Sequence, residues 1–187
     1  MLVMKFGGSS VADEKQIHKV FEIVKGRIPR QPVIVSSAHK GVTDALLKAG
    51  KAAAKGEPDA APVVEIQRRV LKGCGCDHDL LDPFFREIED LLRGISLVRE
   101  ASRRSLDYLA SFGERMSVRV IADYFSRTGI KAEAFDAWDL GFITDENFGS
   151  ARPLHGFEQR MQTEYKRRVG SDVVPVITGF VGKTGRG

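Results

Sequence analysis

The feature that most restricts what this chain can become is a strand, a glycine turn and a helix, written twice in succession near its start. Residues 2–6 (Leu-Val-Met-Lys-Phe) form a short apolar run that Gly7-Gly8 interrupts, and Ser9-Ser10 then offer hydroxyls suited to capping a helix. Ile17, Val20, Phe21, Val24 and Ile28 follow at helical spacing and give that helix one apolar face. Pro32 opens a second run, Val33–Ser37, which passes through Ala38-His39-Lys40-Gly41 into a helix expected to be capped near Thr43, with Leu46 and Ala49 turned inward. Strands alternating with helices imply an α/β fold with a mainly parallel sheet covered on both faces, and such sheets take ligands at the carboxyl ends of their strands.

Beyond the second unit the periodicity is helical from Val63 to Thr128, through Ile66, Val70, Phe85, Ile88, Leu92, Leu109, Val120 and Ile121, and reads as a large helical insertion. Lys51–Pro62 reads as a solvated helix end and loop, with no domain boundary. Strand patterns return at Lys131–Asp136, Gly141–Asp145 and Val173–Val181, with a helix between Leu154 and Val169. At 187 residues, with 42% hydrophobic and 29% charged residues, the chain can build one core, so disorder and collagen-like repeats are excluded. The net charge of +4 is scattered, which suits an anionic small ligand as well as nucleic acid. No apolar stretch approaches the roughly 20 residues of a membrane-spanning helix, and the first residues lack a secretory pattern, so a cytoplasmic location is expected. Cys74 and Cys76 stand too close for a useful bridge and read as free thiols. With Asp77, His78 and Asp79 they match no structural zinc spacing, and no metal ligands are assigned.

Four stretches could carry chemistry. Lys5-Phe6-Gly7-Gly8-Ser9-Ser10 places glycines after a strand, where backbone N–H groups can approach a polyphosphate and Lys5 can reach the same charge; by itself the feature is weak, and a plain turn with a solvated Lys5 is the more common use of such a stretch. Ser36–Asp44 delivers hydroxyls and a glycine to the same sheet edge, and by itself reads as capping. Ser111-Phe112-Gly113-Glu114-Arg115 puts a glycine inside a helix at a cost of about 1 kcal/mol relative to alanine, which calls for close packing or a ligand. Glu114 beside it is either a cation binder or a surface carboxylate paired with Arg115 or Arg119. Pro175–Thr184 is a strand closing in glycines; Gly182-Lys183-Thr184 imitates the end of a P-loop but lacks its first glycine, at Ile177, and its following helix.

Taken in order, Lys-Phe-Gly-Gly-Ser-Ser, Ser-Ser-Ala with Gly-Val-Thr-Asp, Ser-Phe-Gly-Glu-Arg-Met-Ser, Gly-Phe-Ile-Thr-Asp with Phe-Gly-Ser-Ala-Arg-Pro, and Thr-Gly-Phe-Val-Gly resemble the aspartokinase family, within the amino-acid kinase fold. The resemblance covers essentially the whole chain. It implies a three-layer α/β/α sandwich and MgATP-dependent phosphorylation of the L-aspartate side-chain carboxylate, an early step of lysine, threonine and methionine synthesis. It further implies that Lys5 neutralises the transferring phosphoryl, that Gly7, Gly8 and Ser9 cradle the nucleotide, and that Ser37, Thr43, Glu114 and Phe180 border the amino acid. ATP, Mg2+ and L-aspartate are the partners implied, with no nucleic acid or membrane, and with homo-oligomerisation of the full-length enzyme. Family members continue into a Gly-Arg-Gly-Gly-Ser-Asp segment, a nucleotide-binding half and regulatory ACT domains. Residues 1–187 are therefore expected to be the amino-terminal, amino-acid-binding portion of such a catalytic domain, inactive alone, with Gly185-Arg186-Gly187 belonging to a hairpin. Another amino-acid kinase, or a silent binding module, is the alternative.

Overall fold

The computed structural model describes residues 1–186. Four strands, β1 (Leu2–Phe6), β2 (Pro32–Ser36), β3 (Ala132–Phe135) and β5 (Val174–Thr178), form one sheet in the order β1-β2-β5-β3, every neighbouring pair parallel. β2 and β5 lie inside the sheet and read as almost uninterrupted apolar runs, as strands buried on both faces must. The register sets Phe6 opposite Ser36 and Ser36 opposite Thr178, so the strands end together along one edge.

Helices α1 (Glu14–Lys25), α2 (Val42–Ala53), α3 (Ala61–Cys74), α4 (Asp82–Val98) and α5 (Arg103–Arg127) enclose the larger core, in which Ile34 and Val176 of the sheet join Phe21, Leu46, Ile88, Phe112 and Phe125. α5 is the axis of this layer. Ser102 caps it, accepting the Ser105 N–H at 3.1 Å, and its middle is buried almost all round, which puts Ser111 through Glu114 inside the molecule. The opposite sheet face carries a smaller cluster, Val33, Phe135, Leu140 and Ile177, covered by a 3-10 segment at Ala137–Leu140 and by α6 (Phe157–Arg168) through Tyr165. Side chains alternate between the two clusters along β2, with Val33 on one face and Ile34 on the other. The expected mainly parallel three-layer arrangement is therefore what the chain forms. α6 leaves part of its face open, as a groove of about 540 Å³ lined by Val3, Val35, Met161 and Phe180.

Several local expectations are corrected. Ser9 and Ser10 sit in a 3-10 turn, Gly8–Val11, and do not open α1; Asp13 does, its carboxylate accepting the Gln16 N–H at 3.0 Å. Ile28 falls outside α1, because Pro29 turns the chain into a second 3-10 segment. Thr43 lies inside the first turn of α2, and the capping position is Gly41 at φ +83°, a left-handed conformation suited to glycine. The strand expected at Gly141–Asp145 shrinks to β4 (Ile143–Thr144), which leaves the main sheet and pairs in parallel with β6 (Lys183–Thr184). β6 thus closes no hairpin with its sequence neighbour; Arg186 follows in a turn and pairs with Glu146 at 3.2 Å, while Gly187 lies outside the described residues. Cys74 ends α3 and is buried, as is Cys76, and neither is bridged. Among the described residues no helix is long and apolar enough to cross a membrane.

Candidate active site

The parallel register gathers three of the four candidate stretches at the carboxyl edge of the sheet. Ser37 donates its backbone N–H to Phe6 O at 3.0 Å, and Gly179 donates its own to Ser36 O at 2.8 Å, tying the ends of β1, β2 and β5 together. A Cβ on Gly179 would lie 3.2 Å from Ser36 O, so glycine allows this approach. Phe180 follows at φ +55° with 88% of its surface exposed, a left-handed backbone that an aromatic residue adopts only under constraint. Its ring lies 5.3 Å from Lys5 Nζ. A Cβ on Gly7 would in turn lie 3.6 Å from that nitrogen, so the turn leaves room beside the ammonium.

The fourth stretch arrives through Ala38. A Cβ on Gly8 would approach Ala38 O to 2.8 Å, and a Cβ on Gly113 would approach the Ala38 Cβ to 2.7 Å and Thr43 Oγ1 to 3.4 Å. The loop after β2 is thus held between the glycine turn and α5, with glycine required on both sides. This is the packing reason that Gly113, inside a helix, called for. Glu114 faces the same loop; burial pushes its pKa up, and the backbone N–H groups of Glu114 itself and of Ala38 partly oppose that rise. Its relative exposure is 9%. Among the described residues no basic side chain pairs with it. Arg115 and Arg119, its possible surface partners, both turn to Asp136: Arg119 makes a two-pronged pair, and Arg115 Nε lies 3.6 Å from Asp136 Oδ2. Glu114 is therefore an inward carboxylate without a counter-charge, and the surface-pairing alternative is set aside.

Lys5, Gly7, Gly8, Ser37, Thr43, Glu114 and Phe180 all lie along this strand edge, on the two sides of the sheet. Lys5 and Phe180 share the face of α6, whereas Thr43 and Glu114 share the face of α5. Phe180 contacts Lys5, and among the described residues nothing joins it to Thr43 or Glu114. Ser9 stands exposed in the turn. The dipole of α1 does not reach the glycine turn, because α1 begins five residues after Ser9 and is closed by the Asp13 carboxylate.

The sequence reading passed over Ala38, which has no reactive group, and the Arg115–Arg119–Asp136 network, which fixes α5 to the end of β3. A weak signal existed for the second: two arginines one helical turn apart and an aspartate at a strand end. Among the described residues no cluster of three or more His, Cys, Asp or Glu could hold a metal ion.

Residues 1–187 match the model of the amino acid kinase family. Aspartokinase 1, chloroplastic, of Arabidopsis thaliana is 36% identical over 97% of this chain and 33% of its own length. Aspartokinase 3 of Bacillus subtilis is 30% identical over 96% of this chain and 41% of its own. Among solved structures, E. coli aspartokinase III in complex with aspartate and ADP superposes over the whole chain and 42% of its own length, with a TM-score of 0.81 at 23% identity, a likeness of fold. Clostridium acetobutylicum aspartate kinase gives 0.70 at 26% identity over the whole chain and 40% of its length. The chain thus spans about a third to two-fifths of these four proteins.

Proposed function

The chain belongs to the amino acid kinase family, and on that premise we propose that it supplies the amino-acid side of an aspartate kinase, transferring the γ-phosphoryl of ATP to the side-chain carboxylate of L-aspartate and releasing ADP and 4-phospho-L-aspartate. The observation that carries the reading is Glu114, a buried carboxylate with no cationic partner, set beside Thr43 at a strand edge that also presents Lys5. An unpaired carboxylate in such a place is costly unless a ligand brings the positive charge, and an amino acid brings an ammonium.

The chemistry suits this division. The acceptor carboxylate has an ordinary pKa near 4 and is already a nucleophile at neutral pH, so no general base is needed and positioning with charge neutralisation must supply the rate. Glu114 holds the ammonium, Thr43 and Ser37 offer hydroxyl donors to the substrate, and Phe180 borders the site beside Lys5. Lys5 faces the charge that spreads over the transferring phosphoryl, with Gly7, Gly8 and Ser9 as the open backbone beside it. ATP and Mg2+ are the implied partners. Mg2+ bound with the nucleotide supplies charge neutralisation at the phosphates, and this chain's share of that work falls to Lys5. Since the relatives are two to three times as long, the nucleotide half, the grip on the α-carboxylate, any regulatory domain and the oligomer contacts are assigned to sequence outside this chain, which alone should turn over little or no substrate. A cytoplasmic setting is part of the same proposal, although the Arabidopsis relative is by name chloroplastic.

The test is acyl phosphate formation by the full-length enzyme, trapped with hydroxylamine, across aspartate, glutamate and N-acetylglutamate. Turnover confined to aspartate is expected. A preference for either other acid would move the chain to a different kinase, and ATP-independent binding without turnover would make it a binding module.

A further inference from the structure

Between Ala38 and Thr43 lies a buried polar contact that the reaction does not require. His39 is 1% exposed and its Nδ1 lies 2.9 Å from Oε1 of Gln67, which is fully buried. The amide oxygen can only accept, so Nδ1 carries the proton and donates it. Gln67 belongs to α3, a helix with no other part in the site, and is the one buried polar side chain that α3 has besides Cys74 among the described residues. Among the described residues neither His39 Nε2 nor Gln67 Nε2 has a partner.

As a source of stability this pair is poor. One hydrogen bond contributes little net stability, and two buried unsatisfied nitrogens oppose it with penalties of about the same size or larger. What the pair does supply is direction. A 2.9 Å hydrogen bond fixes where the imidazole enters the core, whereas an apolar side chain could settle several ways. His39 is also the joint of the loop. The residue before it, Ala38, fits between Gly8 and Gly113, the glycine next to Glu114, and the His39 carbonyl accepts the Val42 N–H at 3.1 Å, at the start of the helix that carries Thr43. Displacing His39 therefore displaces both the Glu114 and the Thr43 sides of the pocket.

We propose that His39 and Gln67 are positioning residues for the amino-acid pocket: their buried hydrogen bond sets the conformation of the 37–43 loop and so the distance between Thr43 and Glu114. This rests on reading that pocket as the aspartate site, and it assigns α3 a route by which movement of the helical layer alters affinity for the amino acid.

The test uses the full-length enzyme with Gln67→Leu, which leaves the imidazole N–H unpaired, and the double variant His39→Leu/Gln67→Leu, which removes both polar partners and protects against a failure to fold. Amide hydrogen exchange of the 37–43 segment and the melting midpoint are measured beside steady-state kinetics. In both variants that segment is expected to exchange at least roughly tenfold faster, and the aspartate KM to rise roughly five- to tenfold, the scale of one hydrogen bond, with the ATP KM within about twofold. The double variant should recover much of the melting midpoint lost by the single one, since replacing both partners is nearly neutral, while its aspartate KM stays high. Unchanged exchange, or faster exchange with an unaltered aspartate KM, overturns the inference. An aspartate KM that recovers together with the melting midpoint also overturns it, because the pair would then only fill space. A wild-type enzyme that phosphorylates no aspartate would instead overturn the functional reading, and the exchange data would still decide the loop.

Discussion

Gly113→Ala separates what is good for the helix from what is good for the site. In an exposed helix this change is worth about 1 kcal/mol of added stability. Here the new methyl would sit 2.7 Å from the Ala38 Cβ, where ordinary carbon contacts are about 3.5–4.0 Å, so the two must part by roughly 1 Å. Ala38 cannot retreat freely, because on its other side its carbonyl already occupies the space a Cβ on Gly8 would need, at 2.8 Å. Overpacking of this kind costs about 1–3 kcal/mol, which the helix gain partly offsets, so the melting midpoint should fall by only a few degrees. The loop that faces Glu114 and leads to Thr43 nevertheless shifts by about an ångström, a displacement that can cost on the order of 10² in rate. Steady-state kinetics of the full-length enzyme, with melts alongside, should therefore show kcat/KM for aspartate down roughly 100-fold in a protein that remains folded. Wild-type aspartate kinetics in Gly113→Ala would refute the claim that Ala38 is the element holding the two halves of the pocket.

Three further outcomes follow from named side chains. Lys5→Met in the full-length enzyme should lower kcat by about 10²–10³ with a smaller change in ATP affinity; near-normal kcat with weaker ATP binding would make Lys5 a ground-state binder. Burial raises the Glu114 pKa, so the folded state holds that proton to a higher pH than the unfolded chain does; Glu114's own contribution to stability is most favourable below the ordinary carboxylate range and declines as pH rises through the folded value. Glu114→Gln should accordingly raise the melting midpoint at neutral pH while weakening aspartate binding, and a lowered midpoint would show that the carboxylate braces the fold. Burial holds His39 down to about 4 from 6.5, so the folded state refuses a proton that the unfolded chain takes up; this costs nothing above about pH 6.5 and lowers stability as pH falls towards about 4, by roughly 3 kcal/mol in all. Denaturant titrations across that range should show this loss in the wild type and not in His39→Leu/Gln67→Leu.

The parts of the fold legible from sequence are those with a strong period and a terminator. β1 and β2 were readable because an apolar run meets glycine or serine at a fixed place, and α4 and α5 because their apolar residues recur over many turns. The entry to α1 was misread because Ser9, Ser10 and Asp13 can all cap a helix, and only the tight fit of Gly8 against Ala38, a contact distant in sequence, decides where the chain turns. β4 was overestimated because alternation near Ile143 cannot reveal that its partner is the remote pair Lys183–Thr184. For the site, charge and glycine were visible and burial was not. Glu114 could be named, but its isolation depended on Arg115 and Arg119 both turning to Asp136, and the His39–Gln67 contact joins a loop to a helix with no shared sequence pattern.

The most direct measurement is the preference of the full-length enzyme for L-aspartate over succinate, which has the same two carboxylates and no ammonium. If Glu114 is the counter-charge for that ammonium, the wild type should favour aspartate by at least about tenfold in KM, and Glu114→Gln should reduce the preference to within about twofold, since roughly 1.4 kcal/mol of lost pairing is one decade. A preference that survives intact in Glu114→Gln would place the ammonium elsewhere and contradict the account of this site.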